Sequence, residues 1–272
     1  TPLIPNYDMV NLGVYALEKF LKGPLEIEGG LRFDTRKVEA ARFINNELQS
    51  SSLDYQNFSA FIGGAYQLSP YVSFTSNLGT AWRPPNINEL FSQGLHHGAA
   101  AVEIGDENLV SENSLKWVNG LEYEGKKALV ELTAYVNQIS NYIYLNPTGE
   151  TFVSLRGTFN VYEYLQADAL LYGVDLSGSY SFTDRLDGYL KGSVIRARNT
   201  ETNEFFPFIP SDRMDWGLSY SFGKEQKSDK ITLSNQLVAR QKREPVFDLA
   251  PAPPAYSLNN ASYFKKLNIV EN

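Results

Sequence analysis

The chain has 272 residues, enough for one or two domains with a sizeable core. Its 43% hydrophobic and 20% charged residues exclude a disordered chain, and a net charge of -7 with scattered Lys and Arg argues against a nucleic-acid partner. Cysteine is absent, which excludes disulfides, thiolate metal sites and cysteine nucleophiles.

The first ten residues, TPLIPNYDMV, have neither the basic start nor the apolar core of a signal peptide. They imply either a cytoplasmic protein or a chain whose processed and upstream parts lie outside this sequence. The next signal is period two. Residues near 10–21 alternate loosely, and 25–36 cleanly, with Leu25, Ile27, Leu31 and Phe33 opposite Glu26, Glu28, Arg32 and Asp34. Successive strand residues face opposite sides, so such a segment has one apolar and one polar face. From Asn57 to Trp82 no charge occurs, but Gly63-Gly64, Ser69-Pro70 and alternating polar residues make this a β-hairpin, 56–68 with 71–83, rather than a membrane helix.

Further segments follow at 114–124, 128–144, 164–182, 187–198, 212–223, 230–242 and 256–264, eleven in all. Many exceed the roughly 5–6 residues common in soluble strands and match the roughly 9–11 needed to cross a bilayer at a tilt. Short links at 22–24, 69–70, 125–127, 183–186 and 224–229 alternate with long ones at 37–55, 84–113, 145–163, 199–211 and 243–255. Strict alternation puts every long loop on one edge, the asymmetry of outer-membrane barrels. Aromatic residues near segment ends, including Phe33, Tyr66, Trp82, Tyr123 and Phe182, suit a bilayer interface. The fold expected is therefore an all-β, antiparallel transmembrane β-barrel. The competing architecture is a soluble β-sandwich binding module, in which aromatics fill the core. Eleven strands are an odd number, so the closing strands are expected outside this sequence.

The stretch AWRPPNINELF opens the longest link. Pro84 and Pro85 cannot donate to a neighbouring strand, so the ladder should stop there, with Trp82 marking the membrane interface. Trp82-Arg83-Pro84-Pro85, then Glu89-Leu90-Phe91, then Asp106-Glu107-Asn108-Leu109 and Ser111-Glu112 resemble the boxes of the TonB-dependent outer-membrane receptors. In that family a Phe-Arg-Ala-Pro box, a Glu-Leu-aromatic triplet and an Asn-Pro-Asn-Leu box with Pro-Glu flank one extracellular loop. The segment from Phe208 to Arg213, with Pro210, is similar to the family's Pro-x-x-Arg strand entry, and Tyr172-Gly173-Val174-Asp175 to its Tyr-Gly-aliphatic-Glu strand. Trp82, Pro85 and Asp106-Glu107 depart from the usual residues.

The resemblance implies that residues 1–272 are the C-terminal portion of a 22-stranded barrel. That barrel would be filled by an N-terminal plug absent from this chain, and energised through the plug by a TonB complex. It further implies the outer membrane of a Gram-negative bacterium, lipid contact and uptake of a scarce small-molecule ligand. An iron-siderophore complex leads by family frequency. Haem comes next because His96 and His97, the only histidines, lie between the two boxes. The alternative for both histidines is an exposed polar loop. Arg83 and Glu89 are read as a charge pair at the loop base, with direct ligand contact the other role. No resident cofactor or metal is expected. No triad spacing, phosphate loop or dinucleotide fingerprint points to an enzyme.

Overall fold

The computed structural model describes residues 3–44, 47–223, 229–244, 248–249 and 252–266. Eleven long strands follow one another in a single antiparallel sheet, each hydrogen-bonded to the next. They are β1 (Asn6–Lys22), β2 (Leu25–Ile44), β3 (Glu47–Ser69), β4 (Val72–Arg83), β7 (Glu112–Glu124), β8 (Ala128–Ser154), β9 (Gly157–Ser181), β10 (Leu186–Asn199), β11 (Arg213–Phe222), β12 (Asp229–Val238) and β13 (Tyr256–Lys265). Between β4 and β7 stand a short helix α1 (Ile87–Phe91) and a hairpin of β5 (Gln93–His96) and β6 (Ala101–Ile104). Among the described residues the sheet does not close: β1 and β13 are its two edges.

The register aligns the two faces across strands. Val14 lies opposite Phe33, Leu31 opposite Ala60, Ile62 opposite Leu78, and Leu132 opposite both Leu121 and Leu176. A one-residue slip anywhere would put these apolar side chains on the polar face, so the pattern itself fixes the register. Among the described residues no second layer covers the apolar face: Leu12, Val14, Ile62, Leu132 and Val174 are each more than a third exposed. A sandwich would bury that face, whereas a wall facing lipid leaves it bare.

The two clusters of buried apolar residues lie at the end of the sheet that carries the long connections. One joins Val38 and Ala40 of β2 to Ile87, Leu90 and Phe91 of α1, Leu109 and Ile143. Val38 and Ala40 share the strand face of Arg32, Asp34 and Arg36, so the 84–111 connection is folded onto the polar side of the sheet. Burying Leu90 and Phe91 stabilises that arrangement by about 1.5–3 kcal/mol each. The second cluster packs Phe206 against Ile139, Ala169 and Ala197, with Tyr142 and Tyr144 edge-on to the Phe206 ring.

Two of the sequence expectations are corrected here. Segments 37–55 and 145–163 are not loops: the β2–β3 ladder continues to Ile44–Glu47, and the β8–β9 ladder to Ser154–Gly157. Outside a bilayer a hairpin needs no apolar face, so hydrophobic alternation does not register it. The strand expected at 230–242 ends at Val238, and Gln241 instead donates a hydrogen bond to the Ile209 carbonyl. Trp82 is half-buried and lines a cleft together with Arg32 and Asp34. The sheet parts at this point. The β3–β4 ladder ends at Phe61–Gly79, where Thr80 Oγ1 accepts from the Ala60 N–H and donates to its carbonyl. The expected turn at 224–229 falls largely outside the described residues, as does part of 243–255.

Candidate functional site

Arg83 ends β4 on the polar face and faces Glu112, the first residue of β7, across the ladder. Its guanidinium donates to both Glu112 oxygens at 2.8 Å, and to both Glu89 oxygens at 2.9 and 2.7 Å. The carboxylates have capacity left over. Glu89 Oε2 also accepts from the Asn86 N–H at 2.7 Å, capping α1, and Glu112 Oε1 accepts from the Ile143 N–H at 2.7 Å. The last bond is possible because β8 bulges between Ile139 and Tyr142, with Asn141 in the left-handed region at φ 57°. One guanidinium thus ties two wall strands to α1, and a carboxylate extends the tie to a third strand. Sequence reasoning paired Arg83 with Glu89 only.

The remaining box residues complete the loop base. Pro84 and Pro85 are buried directly after β4, and Leu90 and Leu109 are in the apolar cluster. Asp106 Oδ1 accepts from the Asn108 N–H and side-chain amide, forming a turn that delivers Leu109. Glu107 pairs with Arg42 of β2. Pro210 and Arg213 are not part of this assembly: Pro210 is exposed in the connection before β11, and Arg213 begins that strand between Ser193 and Val238.

From this base the β5–β6 hairpin crosses to β9. Ala101 to Ile104 pair in parallel with Asn160 to Glu163, making a local four-stranded sheet in the order β8, β9, β6, β5. This part of β9 rises beyond the end of β10, whose last pair is Asn199–Ala169. The histidines expected in an irregular loop are here: His96 is the last residue of β5, and His97 is in the exposed turn.

The two histidines differ. His96 Nδ1 lies 2.6 Å from Glu103 Oε1, and Glu103 is 5% exposed. Glu103 Oε2 accepts from the Tyr164 hydroxyl at 3.2 Å, and that oxygen in turn accepts from Asn88 Nδ2 at 3.0 Å. Burial, with the nearby Glu103 charge, pushes the Tyr164 hydroxyl up to about 12, so it stays a protonated donor. With Nδ1 donating to Glu103, Nε2 carries the free lone pair, and the imidazole is half exposed. A buried carboxylate that holds an imidazole in one orientation is the arrangement that supports metal-ligating histidines. His97 has no such partner among the described residues. Glu103, Tyr164, Asn88 and Gly105 carry no motif. The only sequence sign of Glu103 is an acidic residue inside the apolar run Ala101-Val102-Glu103-Ile104.

Residues 2–268 match the family model described as TonB dependent receptor-like, beta-barrel. A heme/hemopexin utilization protein C of Haemophilus influenzae strain 86-028NP is 24% identical over 212 residues, covering 72% of this chain and 29% of that protein. Among solved structures, the copper transporter OprC superposes with a TM-score of 0.80 at 19% identity, covering 96% of this chain and 40% of its own. The ferric yersiniabactin uptake receptor FyuA of Yersinia pestis gives 0.70 at 16% identity, over 94% and 38%. The Serratia marcescens hemophore receptor HasR, in complex with its hemophore and heme, gives 0.71 at 16% identity, over 98% and 47%. At these identities the structural likeness concerns the fold alone. The chain spans under half the length of each of these relatives.

Proposed function

This chain belongs to the TonB-dependent receptor β-barrel family, and we propose that residues 1–272 form the C-terminal part of a barrel that takes up haem. It is an outer-membrane protein of a Gram-negative bacterium. The family comprises uptake receptors for iron, haem and metal complexes, not enzymes. In this reading the bare apolar face meets lipid and the polar face lines the lumen, beneath the loop that carries His96. The observation that carries the ligand class is the His96–Glu103 pair at 2.6 Å, with Nε2 left open. A porphyrin supplies four nitrogen donors itself, so a single oriented imidazole suffices as the protein's ligand to the iron. The name of the Haemophilus relative supports the same class. A plug preceding this chain and a TonB complex acting on it are the proposed partners that release the captured ligand inward.

The test is a haemin titration of the intact receptor, followed by its Soret absorbance. His96→Ala is expected to weaken haemin binding at least about tenfold, or about 1.4 kcal/mol, while His97→Ala changes it little. If both variants bind haemin as wild type does, the haem reading fails. A ferric siderophore complex, the class that family frequency puts first, then takes its place.

A further inference from the structure

A second polar constellation lies on the same face, below the loop, where the β3–β4 ladder parts. A cleft of about 600 Å³ is lined there by Asn11, Tyr15, Arg32, Asp34, Arg36 and Trp82. Its two arginines are in different states. Arg32 is committed: Nε and Nη2 donate to Asp34 at 2.6–2.9 Å, and its guanidinium stands 6.0 Å from the centre of the Tyr15 ring. Arg36 donates through Nε to a neutral acceptor, Asn11 Oδ1, at 2.6 Å. Among the described residues no carboxylate is within ion-pair distance of it. Its charge is therefore uncompensated while its plane is fixed, and the two Nη groups form an open fork. Tyr55, its cross-strand partner on β3, buries a hydroxyl that has no hydrogen-bond partner among the described residues. An arginine fork matches a carboxylate in two parallel bonds, and the flanking Tyr15 and Trp82 rings suit a flat conjugated body.

We infer that this cleft is a binding station for a planar aromatic ligand bearing a carboxylate, with Arg36 receiving the carboxylate and Asn11 holding the guanidinium in position. The inference concerns the wall and stands apart from the role of His96. It is tested on the intact receptor with a probe that has no metal: 1-pyrenecarboxylate against 1-pyrenemethanol, followed by pyrene fluorescence anisotropy. Wild type is expected to prefer the carboxylate at least about tenfold, the scale of one charge-assisted bidentate pair. Arg36→Gln is expected to erase the preference, and Arg36→Lys, which keeps the charge without the fork, to retain part of it and report a folded barrel. His96→Ala should leave the preference intact, which separates this site from the haem reading. A preference that survives Arg36→Gln would overturn the inference. So would its absence in wild type, because Arg36 would then be neutralised by a carboxylate of the receptor's own plug.

Discussion

Arg83→Ala is expected to release the whole connection between β4 and β7 from the barrel wall. Four charge-assisted hydrogen bonds disappear, and Glu89 and Glu112, whose side chains are 11% exposed, are left without a cation. Removing one partner of a buried ion pair costs about 3–5 kcal/mol, and because Arg83 is itself a third exposed the lower end applies, about 3 kcal/mol. That is roughly a hundredfold in the opening equilibrium of α1 and the β5–β6 hairpin. Hydrogen exchange of residues 87–109 in the intact receptor should accelerate accordingly, while the ladders of β10 to β12 keep their protection. Arg83→Lys should fall between, since one ammonium cannot bridge two carboxylates bidentately. Wild-type exchange across 87–109 in the alanine variant would show that the apolar cluster alone holds the connection.

Gly105→Ala is expected to have an effect of similar size through sterics. A Cβ at Gly105 would stand 2.7 Å from the Leu90 carbonyl carbon and the Phe91 nitrogen, and 2.8 Å from the Glu89 oxygen. All three are backbone atoms, so no rotamer change relieves the overlap. The hairpin must move away from α1, stretching the bonds from Gly105 N–H to the Ser92 carbonyl and from Asp106 N–H to the Glu89 carbonyl. Overpacking of this kind costs about 1–3 kcal/mol, and the lost bonds add about 1 kcal/mol each. Glu103 lies two residues away, so haemin affinity should fall together with exchange protection. Gly98→Ala is the internal control: its nearest atom would be His96 Nε2 at an ordinary 3.7 Å. If Gly105→Ala matches Gly98→Ala in both measurements, close backbone approach does not hold the hairpin in place.

Some of this assembly was legible in advance, and the reason is local. Pro84 and Pro85 have no N–H to give a neighbouring strand, and β4 does stop at Arg83. The order and faces of the eleven long strands follow from side-chain alternation, because each strand carries its own apolar stripe and pairs with its neighbour in sequence. Glu112 as the second partner of Arg83 was not legible. The two meet only because β4 and β7 pair with the whole connection between them folded away. Nor was the carboxylate behind His96. Glu103 reaches it through a hairpin of two four-residue strands that exists because β6 finds a free edge on β9, nearly sixty residues further on.

The amino-acid sequence by itself determined the barrel wall, its two faces and the place where the long connection begins. These rest on period-two patterning and on proline, which act within a strand or between successive strands. Tertiary structure alone decided which side of the wall that connection lies on, which histidine gains a buried carboxylate and which arginine stays uncompensated. Each of those outcomes is set by groups that chain folding brings together from distant strands. An isolated His96, Glu103 or Arg36 reads like any other polar residue until its neighbours are in place.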